Sequence, residues 1–160
     1  MNIVTVRIKG FTIVFEHQII EPATHQIDGT AQGWGFNLDP VRRLRQRILL
    51  AFENAEMVED DRERRADLTF LIVGGGPTGV ELAGAMGELV QKVFHRDFRR
   101  IAVRTARVIL IESNERLLKV YPEELSASAK QQLEELGVEI RLGVRVSNVD
   151  ATHVALNDGT

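Results

Sequence analysis

The sequence predicts an α/β fold, namely a Rossmann-like, three-layer dinucleotide-binding domain with a truncated parallel sheet, a β-hairpin and an N-terminal extension. Residues 68–73 and 108–111 form two continuous apolar runs of strand length. Such runs are typical of strands that are covered on both faces, as in a parallel sheet. A glycine-rich turn at residues 74–79 follows the first run and begins a helical segment, which is the element order of a βαβ unit.

A third strand and its helix continue this alternation. Pro122 can begin a helix that continues through Leu136, and Gly137 stands where a glycine often ends a helix. Residues 138–142 alternate in polarity and predict the third strand. In a doubly wound sheet the strand order is 3-2-1-4, so residues 68–73 are expected to form strand 1.

The two ends of the chain predict hairpins. Residues 3–8 and 11–15 are rich in β-branched and aromatic residues on either side of Gly10. Residues 144–149 and 152–156 predict two further short strands. The predicted organisation is a β-rich and loop-rich segment at 1–38, a helical connector at 39–67 and a dinucleotide-binding domain at 68–160.

Composition excludes several classes of protein. The chain has 160 residues and a formal net charge of −3, which does not indicate a nucleic-acid partner. It contains no cysteine, which excludes thiolate zinc sites, cysteine nucleophiles and dithiol redox chemistry. The four histidines are scattered and show no metal-ligand spacing. No apolar run approaches the ~20 residues of a membrane span and no signal peptide is recognisable, so a cytoplasmic location is expected.

The glycine-rich turn matches the pattern G-x-G-x-x-G at Gly74, Gly76 and Gly79. In this pattern the first glycine permits a tight turn, the second lets a pyrophosphate approach the backbone, and the third lets helix and strand pack closely. The diphosphate is then bound by backbone N–H groups at the positive end of the helix dipole. Val80 and Glu81 stand where a P-loop has Lys and Ser or Thr, so that class of nucleotide site is excluded. The alternative is a tight strand–helix turn without a ligand.

Two acidic residues are candidates for further contacts with a dinucleotide. Glu112 follows the second predicted strand, where a carboxylate can accept hydrogen bonds from the ribose 2′-OH and repel a 2′-phosphate, which favours NAD over NADP. It follows Gly79 by 33 residues, more than the usual ~20, which indicates an insertion at about residues 91–106. The alternative is a solvent-facing residue at the strand end. Glu81 lies early in the helix, where the helix dipole favours an acid for structural reasons alone. The alternative is that its carboxylate contacts the ligand.

Residues 70–84, with the sequence FLIVGGGPTGVELAG, resemble the pyridine-nucleotide disulfide reductase-like flavoproteins. The similarity is greatest to type II NADH dehydrogenases, which are NADH:quinone oxidoreductases. Residues 45–53 resemble the helix leading into the NADH domain of that family, residues 97–101 its long insertion, and residues 111–123 its second-strand region. The resemblance covers about residues 41–160.

The resemblance implies an oxidoreductase in which NADH passes hydride to FAD, and the flavin reduces quinone. Glu81 resembles the family glutamate near the contact between nicotinamide and flavin, which makes it the catalytic candidate, and Glu112 resembles the acid that binds the adenosine ribose. The implied diphosphate-binding residues are those of the turn, Gly74, Gly75, Gly76, Pro77, Thr78 and Gly79. The family also implies a peripheral location on the cytoplasmic face of the membrane.

Residues 1–38 depart from this family, because they lack its N-terminal G-x-G-x-x-G motif for FAD. The sequence also lacks a later Gly-Asp motif for FAD, the quinone site and the membrane-binding region. We therefore expect a C-terminally truncated fragment that is inactive alone and needs a complementary chain carrying the FAD domain. The alternative is a stand-alone NAD-binding or partner-binding module without turnover.

The order of the predicted sheet leaves strand 1 without its outer neighbour. Unpaired backbone groups along residues 70–73 can then pair with another molecule, so self-association through this exposed edge is expected. The alternative is that the hairpin predicted within the first 20 residues covers the edge.

Overall fold

The computed structural model of the chain describes residues 3–8, 11–16, 39–93, 106–149 and 154–159. Its strands and helices, in chain order, are β1 (Ile3–Ile8), β2 (Phe11–Glu16), α1 (Asp39–Met57), α2 (Asp61–Asp67), β3 (Thr69–Val73), α3 (Pro77–Glu88) with a π-helical continuation (Leu89–Val93), β4 (Arg107–Glu112), α4 (Glu123–Glu135), β5 (Val138–Leu142), β6 (Val146–Val149) and β7 (Val154–Leu156). The predicted turn at Gly10, residues 17–38 and most of the predicted insertion lie outside the described residues.

The main sheet has five strands in the order β2-β1-β3-β4-β5. β3, β4 and β5 are mutually parallel, with Ile72 opposite Leu110 and Leu110 opposite Ile140. This is the predicted 3-2-1 order of a doubly wound sheet, which is confirmed. β6 and β7 pair antiparallel in a separate two-stranded sheet.

The outer neighbour of β3 is the hairpin of β1 and β2. β1 pairs antiparallel with β3, with Thr5 opposite Val73 and Arg7 opposite Leu71. The expectation that β3 is an exposed edge is therefore wrong, and the alternative that the hairpin covers it is correct. The strands at the ends of this sheet are β2 and β5. Residues 71–73 of β3 are therefore paired on both sides, which removes the expected basis for self-association along them.

The sheet is covered on both faces, which makes three layers. Alternate side chains point to opposite faces of a strand, so Phe70 and Ile72 of β3 face a core formed with helices α1, α3 and α4. On the neighbouring strand β4, Ile109 and Ile111 point to the opposite face of the sheet and pack in a second, smaller cluster with Leu156 of β7. The predicted α/β three-layer architecture is confirmed, with helices over one face and the β6–β7 hairpin over the other.

Helix α1 packs against the sheet through an aromatic pair. The rings of Phe52 and Phe70 stack with centroids 5.9 Å apart and an interplanar angle of 20°, and both side chains are fully buried. Such a pair stabilises by about 0.5–1.5 kcal/mol beyond its burial. Ile48 and Ala55 of the same helix are buried in this core as well.

Two glycines permit the backbone geometry and the close packing of the helical layer. Gly137 follows α4 with φ +77°, so the predicted glycine at the helix end is confirmed. A Cβ at Gly87 of α3 would lie 3.0 Å from Leu136 Cβ and 3.1 Å from Val138 Cγ2. The missing side chain at Gly87 therefore lets α3 approach the end of α4 and the start of β5.

Candidate functional site

The glycine-rich turn and the loop after β4 lie side by side, because β3 and β4 are adjacent parallel strands and their carboxyl ends meet at the same edge of the sheet. This edge is where open α/β sheets bind ligands. Gly74 N–H donates to the Ile111 carbonyl over 2.8 Å, which joins the start of the turn to the end of β4.

The backbone of the turn requires glycine at its first and last positions. Gly74 has φ 112°, a region that L side chains rarely adopt. A Cβ at Gly79 would lie 1.8 Å from the Gly74 carbonyl oxygen, which is an impossible contact. The backbones of Gly74 and Gly79 therefore lie in direct contact. The third glycine of the motif has the predicted role of allowing close packing between the helix and the strand end.

The start of α3 presents backbone donors without a capping side chain. Gly76 is the N-cap residue and makes no side-chain cap, Pro77 is the first helical residue, and the first turn contains no acid. The first helical bond runs from Val80 N–H to the Gly76 carbonyl over 3.0 Å. The N–H groups before it have no partner within the helix, so this end of α3 is suited to an anion.

Gly75 lies directly against Glu112. Its N–H donates to Glu112 Oε2 over 2.5 Å. A Cβ at Gly75 would lie 2.7 Å from Leu117 Cδ2 and 2.9 Å from Glu112 Cγ. The absence of a side chain at Gly75 therefore leaves the space in which the Glu112 side chain and the loop after β4 pack.

Glu112 is a buried carboxylate with donors on both oxygens. Oε1 accepts hydrogen bonds from Asn114 N–H at 2.7 Å, Asn114 Nδ2 at 2.6 Å and Ser113 Oγ at 3.2 Å, while Oε2 accepts the bond from Gly75. Burial alone raises the pKa of Glu112, but the hydrogen bonds from Asn114, Gly75 and Ser113 outweigh it and lower the pKa below its usual value. Glu112 is therefore ionised in the folded protein at neutral pH, and it is not a solvent-facing strand end.

Residues 113–122 form a loop that returns to the glycine turn. Leu118 has φ 49°, and its N–H donates to the Gly75 carbonyl over 2.8 Å. Arg116 donates from Nη1 to the Tyr121 carbonyl and Ser126 Oγ, and from Nη2 to the Lys119 carbonyl. The guanidinium group thus satisfies carbonyls that the irregular backbone leaves without helix or sheet partners.

The predicted site residues divide into a joined set and one outlying residue. The turn and Glu112 are joined through Gly75, and Pro77 and Thr78 begin the helix beside them. Glu81 lies in the second turn of α3 with an exposed side chain. Within the described part of the chain, no hydrogen bond or ion pair connects Glu81 to Glu112 or to the turn.

Asn114 and Arg116 were not assigned functional contacts from the sequence. Asn114 donates hydrogen bonds to Glu112, and Arg116 donates to backbone carbonyls of the loop. The available signal was the position of Ser113 and Asn114 just after an acid at a strand end, since such side chains bond nearby backbone and side-chain groups. The contacts of Gly75 had no signal in the sequence, because they depend on the packing of two loops.

The remaining features of the described chain point to no second kind of site. Across residues 39–93, 106–149 and the short strand segments, no group of three acidic or histidine side chains is arranged to bind a metal ion. No helix in these same segments has both the length and the apolar character needed to cross a bilayer.

The family model described as pyridine nucleotide-disulphide oxidoreductase matches residues 20–160. The chain belongs to this family. The resemblance that the glycine motif indicated is thereby confirmed.

Individual relatives are similar to parts of the chain. The type II NADH:quinone oxidoreductase Ndh of Mycobacterium tuberculosis is 42% identical over 122 residues, which is 76% of this chain and 26% of that protein. The mitochondrial external alternative NAD(P)H-ubiquinone oxidoreductase B2 of Arabidopsis thaliana is 27% identical over 154 residues, 92% of this chain and 26% of that protein. The chain thus spans about a quarter of the length of the curated relatives it matches.

A solved structure has the same fold. NDH2 from Plasmodium falciparum, solved in complex with NADH, superimposes with a TM-score of 0.67 at 21% identity. The match covers 74% of this chain and 24% of that protein. At this identity the likeness shows the fold, which agrees with the predicted dinucleotide-binding architecture.

Proposed function

We propose that this chain is the NADH-binding part of an FAD-dependent NADH dehydrogenase that passes hydride from NADH to flavin and on to quinone. The single observation that carries the proposal is the uncapped start of α3 beside a buried, ionised carboxylate that is bonded to the glycine turn. The names of the relatives from Mycobacterium tuberculosis and Arabidopsis thaliana support the same reaction class.

The turn fits the diphosphate of a dinucleotide. Gly74, Gly75 and Gly76 carry no side chain that would hinder the approach of an anion to the backbone. The first turn of α3 contains no acid that would compete for its positive end. In this proposal the backbone N–H groups of Gly76, Thr78 and Gly79 bind the diphosphate, while Pro77 sets the direction of the helix.

Glu112 fits the adenosine ribose. A carboxylate has about four acceptor positions, and its Oε2 accepts one bond, from Gly75. This oxygen therefore retains capacity for a ribose hydroxyl beside the diphosphate site. A 2′-phosphate would bring a second negative charge against a partly desolvated carboxylate, so NADPH should bind more weakly than NADH.

Glu81 is the proposed residue at the nicotinamide side of the site. Its position two residues beyond Gly79 and its exposure leave the carboxylate accessible to a ligand or to a flavin domain. In this role Glu81 orients the nicotinamide, since hydride transfer is supplied by the bound cofactors and the protein supplies position and electrostatics. We further propose that the FAD domain and the quinone site belong to other parts of the enzyme, at the cytoplasmic face of the membrane.

Nucleotide titration of the 160-residue chain tests this function. NADH should bind, measured by its fluorescence or by calorimetry, at least about tenfold more tightly than NADPH, which corresponds to about 1.4 kcal/mol. Glu112→Ser should reduce this ratio, because it removes the carboxylate next to the ribose. Glu115→Ser is the matched control, since Glu115 is an exposed acid in the same loop. Absence of NADH binding, or an unchanged ratio in Glu112→Ser, would overturn the assignment.

A second measurement separates binding from turnover. The purified chain should carry no flavin absorbance, and its oxidation of NADH by a quinone should not exceed the rate without protein, because its sequence contains one G-x-G-x-x-G motif and not two. Addition of the flavin domain of a relative should restore oxidation if this chain completes such an enzyme. Flavin retained by the chain alone after gel filtration would contradict the division of parts proposed here.

A further inference from the structure

Asn114 uses all four of its polar groups in contacts between different segments. Its N–H and Nδ2 both donate to Glu112 Oε1, at 2.7 and 2.6 Å. Its carbonyl accepts from Gly143 N–H, just after β5, over 2.9 Å. Its Oδ1 accepts from Lys119 Nζ over 3.1 Å. One residue therefore connects the end of β4, the end of β5 and the loop of residues 113–122.

The orientation of the Asn114 amide follows from its partners. Lysine can only donate and an ionised carboxylate can only accept, so Oδ1 must face Lys119 and Nδ2 must face Glu112. With Nδ2 and the Asn114 N–H both on Oε1, the Glu112 carboxylate cannot rotate without losing two bonds at once. Oε2 is thereby directed to the N–H of Gly75.

The two backbone donors on Glu112 require a carboxylate between them. Asn114 N–H occupies one oxygen and Gly75 N–H the other. A glutamine has a single acceptor oxygen, so in either orientation its NH₂ group would face one of these donors. The charge and the rotation of Glu112 are therefore both set by the protein before any ligand is present.

We propose that Asn114 is a positioning residue for Glu112, and that it thereby determines how strongly the site distinguishes a ribose 2′-hydroxyl from a 2′-phosphate. This inference rests on the proposed nucleotide function. Asn114 acts through Glu112 and need not touch the ligand. When Asn114 is lost, the carboxylate can turn away from the ribose position, which weakens NADH binding and relieves the repulsion of NADPH.

Asn114→Leu tests the proposal, because leucine has a similar shape and no hydrogen-bonding group. The ratio of the NADPH and NADH dissociation constants should fall by about fivefold, which corresponds to the loss of one hydrogen bond of about 1 kcal/mol. Asn148→Leu on β6 is the control, since Asn148 is exposed in the other sheet. The melting temperature of each variant shows that it is folded.

A double-mutant cycle distinguishes positioning from a separate contact. In the Glu112→Ser background, Asn114→Leu should leave the ratio of dissociation constants unchanged, because the group through which it acts is absent. Additive effects of the two substitutions would overturn the proposal. An unchanged ratio in Asn114→Leu alone would also overturn it.

Carboxyl titration by ¹³C NMR in the ligand-free protein keeps this test independent of nucleotide binding. The signal of Glu112, assigned by its loss in Glu112→Ser, should titrate at higher pH in Asn114→Leu, because a hydrogen-bond donor to the ionised carboxylate is removed. Asn148→Leu on β6 should leave the midpoint in place. If the wild type binds neither nucleotide, the proposed function fails, and this midpoint alone decides whether Asn114 positions Glu112.

Discussion

Two neighbouring strand–loop units form the candidate site, and they are stabilised in different ways. β3 and its turn are organised by the absence of side chains, since Gly74 has a positive φ and Gly79 contacts the Gly74 carbonyl. β4 and its loop are organised by polar side chains, chiefly Glu112, Asn114 and Arg116. The first unit therefore depends on residue size and the second on charge and hydrogen bonding.

The strands of the two units also have different neighbours. β4 lies between two parallel strands, and all its residues from Val108 to Glu112 are buried. β3 has a parallel neighbour on one side and the antiparallel strand β1 on the other, and its side chains alternate between buried and half-buried. Four perturbations separate the contributions of size, pairing, hydrogen bonding and charge.

The largest effect is expected for Gly79→Ala. Its Cβ would overlap a backbone carbonyl at 1.8 Å, so the turn or α3 must shift, at a cost of about 3 kcal/mol in the free energy of unfolding. Gly84→Ala in the same helix is the control, because its Cβ would lie 3.6 Å from Leu133 Cδ2. Urea denaturation should show no loss for Gly84→Ala, and a gain of about 0.5–1 kcal/mol is expected from helix propensity. Equal losses in both variants would contradict this account of the turn.

Deletion of residues 1–20 tests the pairing of β3. The deletion removes β1 and exposes the edge of β3, so amide exchange in β3 should accelerate while β4 stays protected. Sedimentation at tens of micromolar should show association of the shortened chain, since an unpaired apolar strand pairs readily with another copy. Unchanged exchange and unchanged sedimentation would mean that the hairpin does not cover β3.

A smaller effect is expected for Arg116→Lys. The guanidinium group donates to Tyr121 and Lys119 carbonyls at 2.8 Å from two different nitrogens, and a lysine ammonium cannot reproduce this fork. The free energy of unfolding should fall by about 1–2 kcal/mol. Arg62→Lys on α2 is the control for an exposed arginine and should stay within about 0.5 kcal/mol of the wild type.

The smallest effect is the pH dependence of the second unit. The folded pKa of Glu112 is lowered, so the folded protein binds fewer protons than the unfolded chain as the pH falls through the acid range. The contribution of the Glu112 charge is complete above the unfolded pKa of about 4.3 and is lost as the pH falls through the lower folded pKa. Denaturation at several pH values should therefore show that the stability difference between wild type and Glu112→Gln decreases towards low pH. A difference independent of pH would mean that the charge of Glu112 has no role.

Local patterns predicted the strand at residues 68–73, the glycine turn and the helix that follow it, and the helix that ends before Gly137. These features depend on residues close in sequence, so apolar runs and glycine spacing identify them. Patterns also predicted the 3-2-1 strand order, since few topologies satisfy the rules of parallel sheets. The position of the N-terminal hairpin was left open between two alternatives, because hairpin formation does not specify which sheet edge the hairpin joins.

The sequence by itself determined that two parallel strands end beside one another with a glycine turn on one and an acid on the other. Only the tertiary structure decided that Gly75 contacts Glu112, that Asn114 sets the rotation of that carboxylate, and that β1 pairs with β3. The physical reason is the range of the interactions. Backbone conformation and burial pattern act over a few neighbouring residues, whereas these contacts join residues that are distant in sequence and become adjacent only when the sheet is assembled.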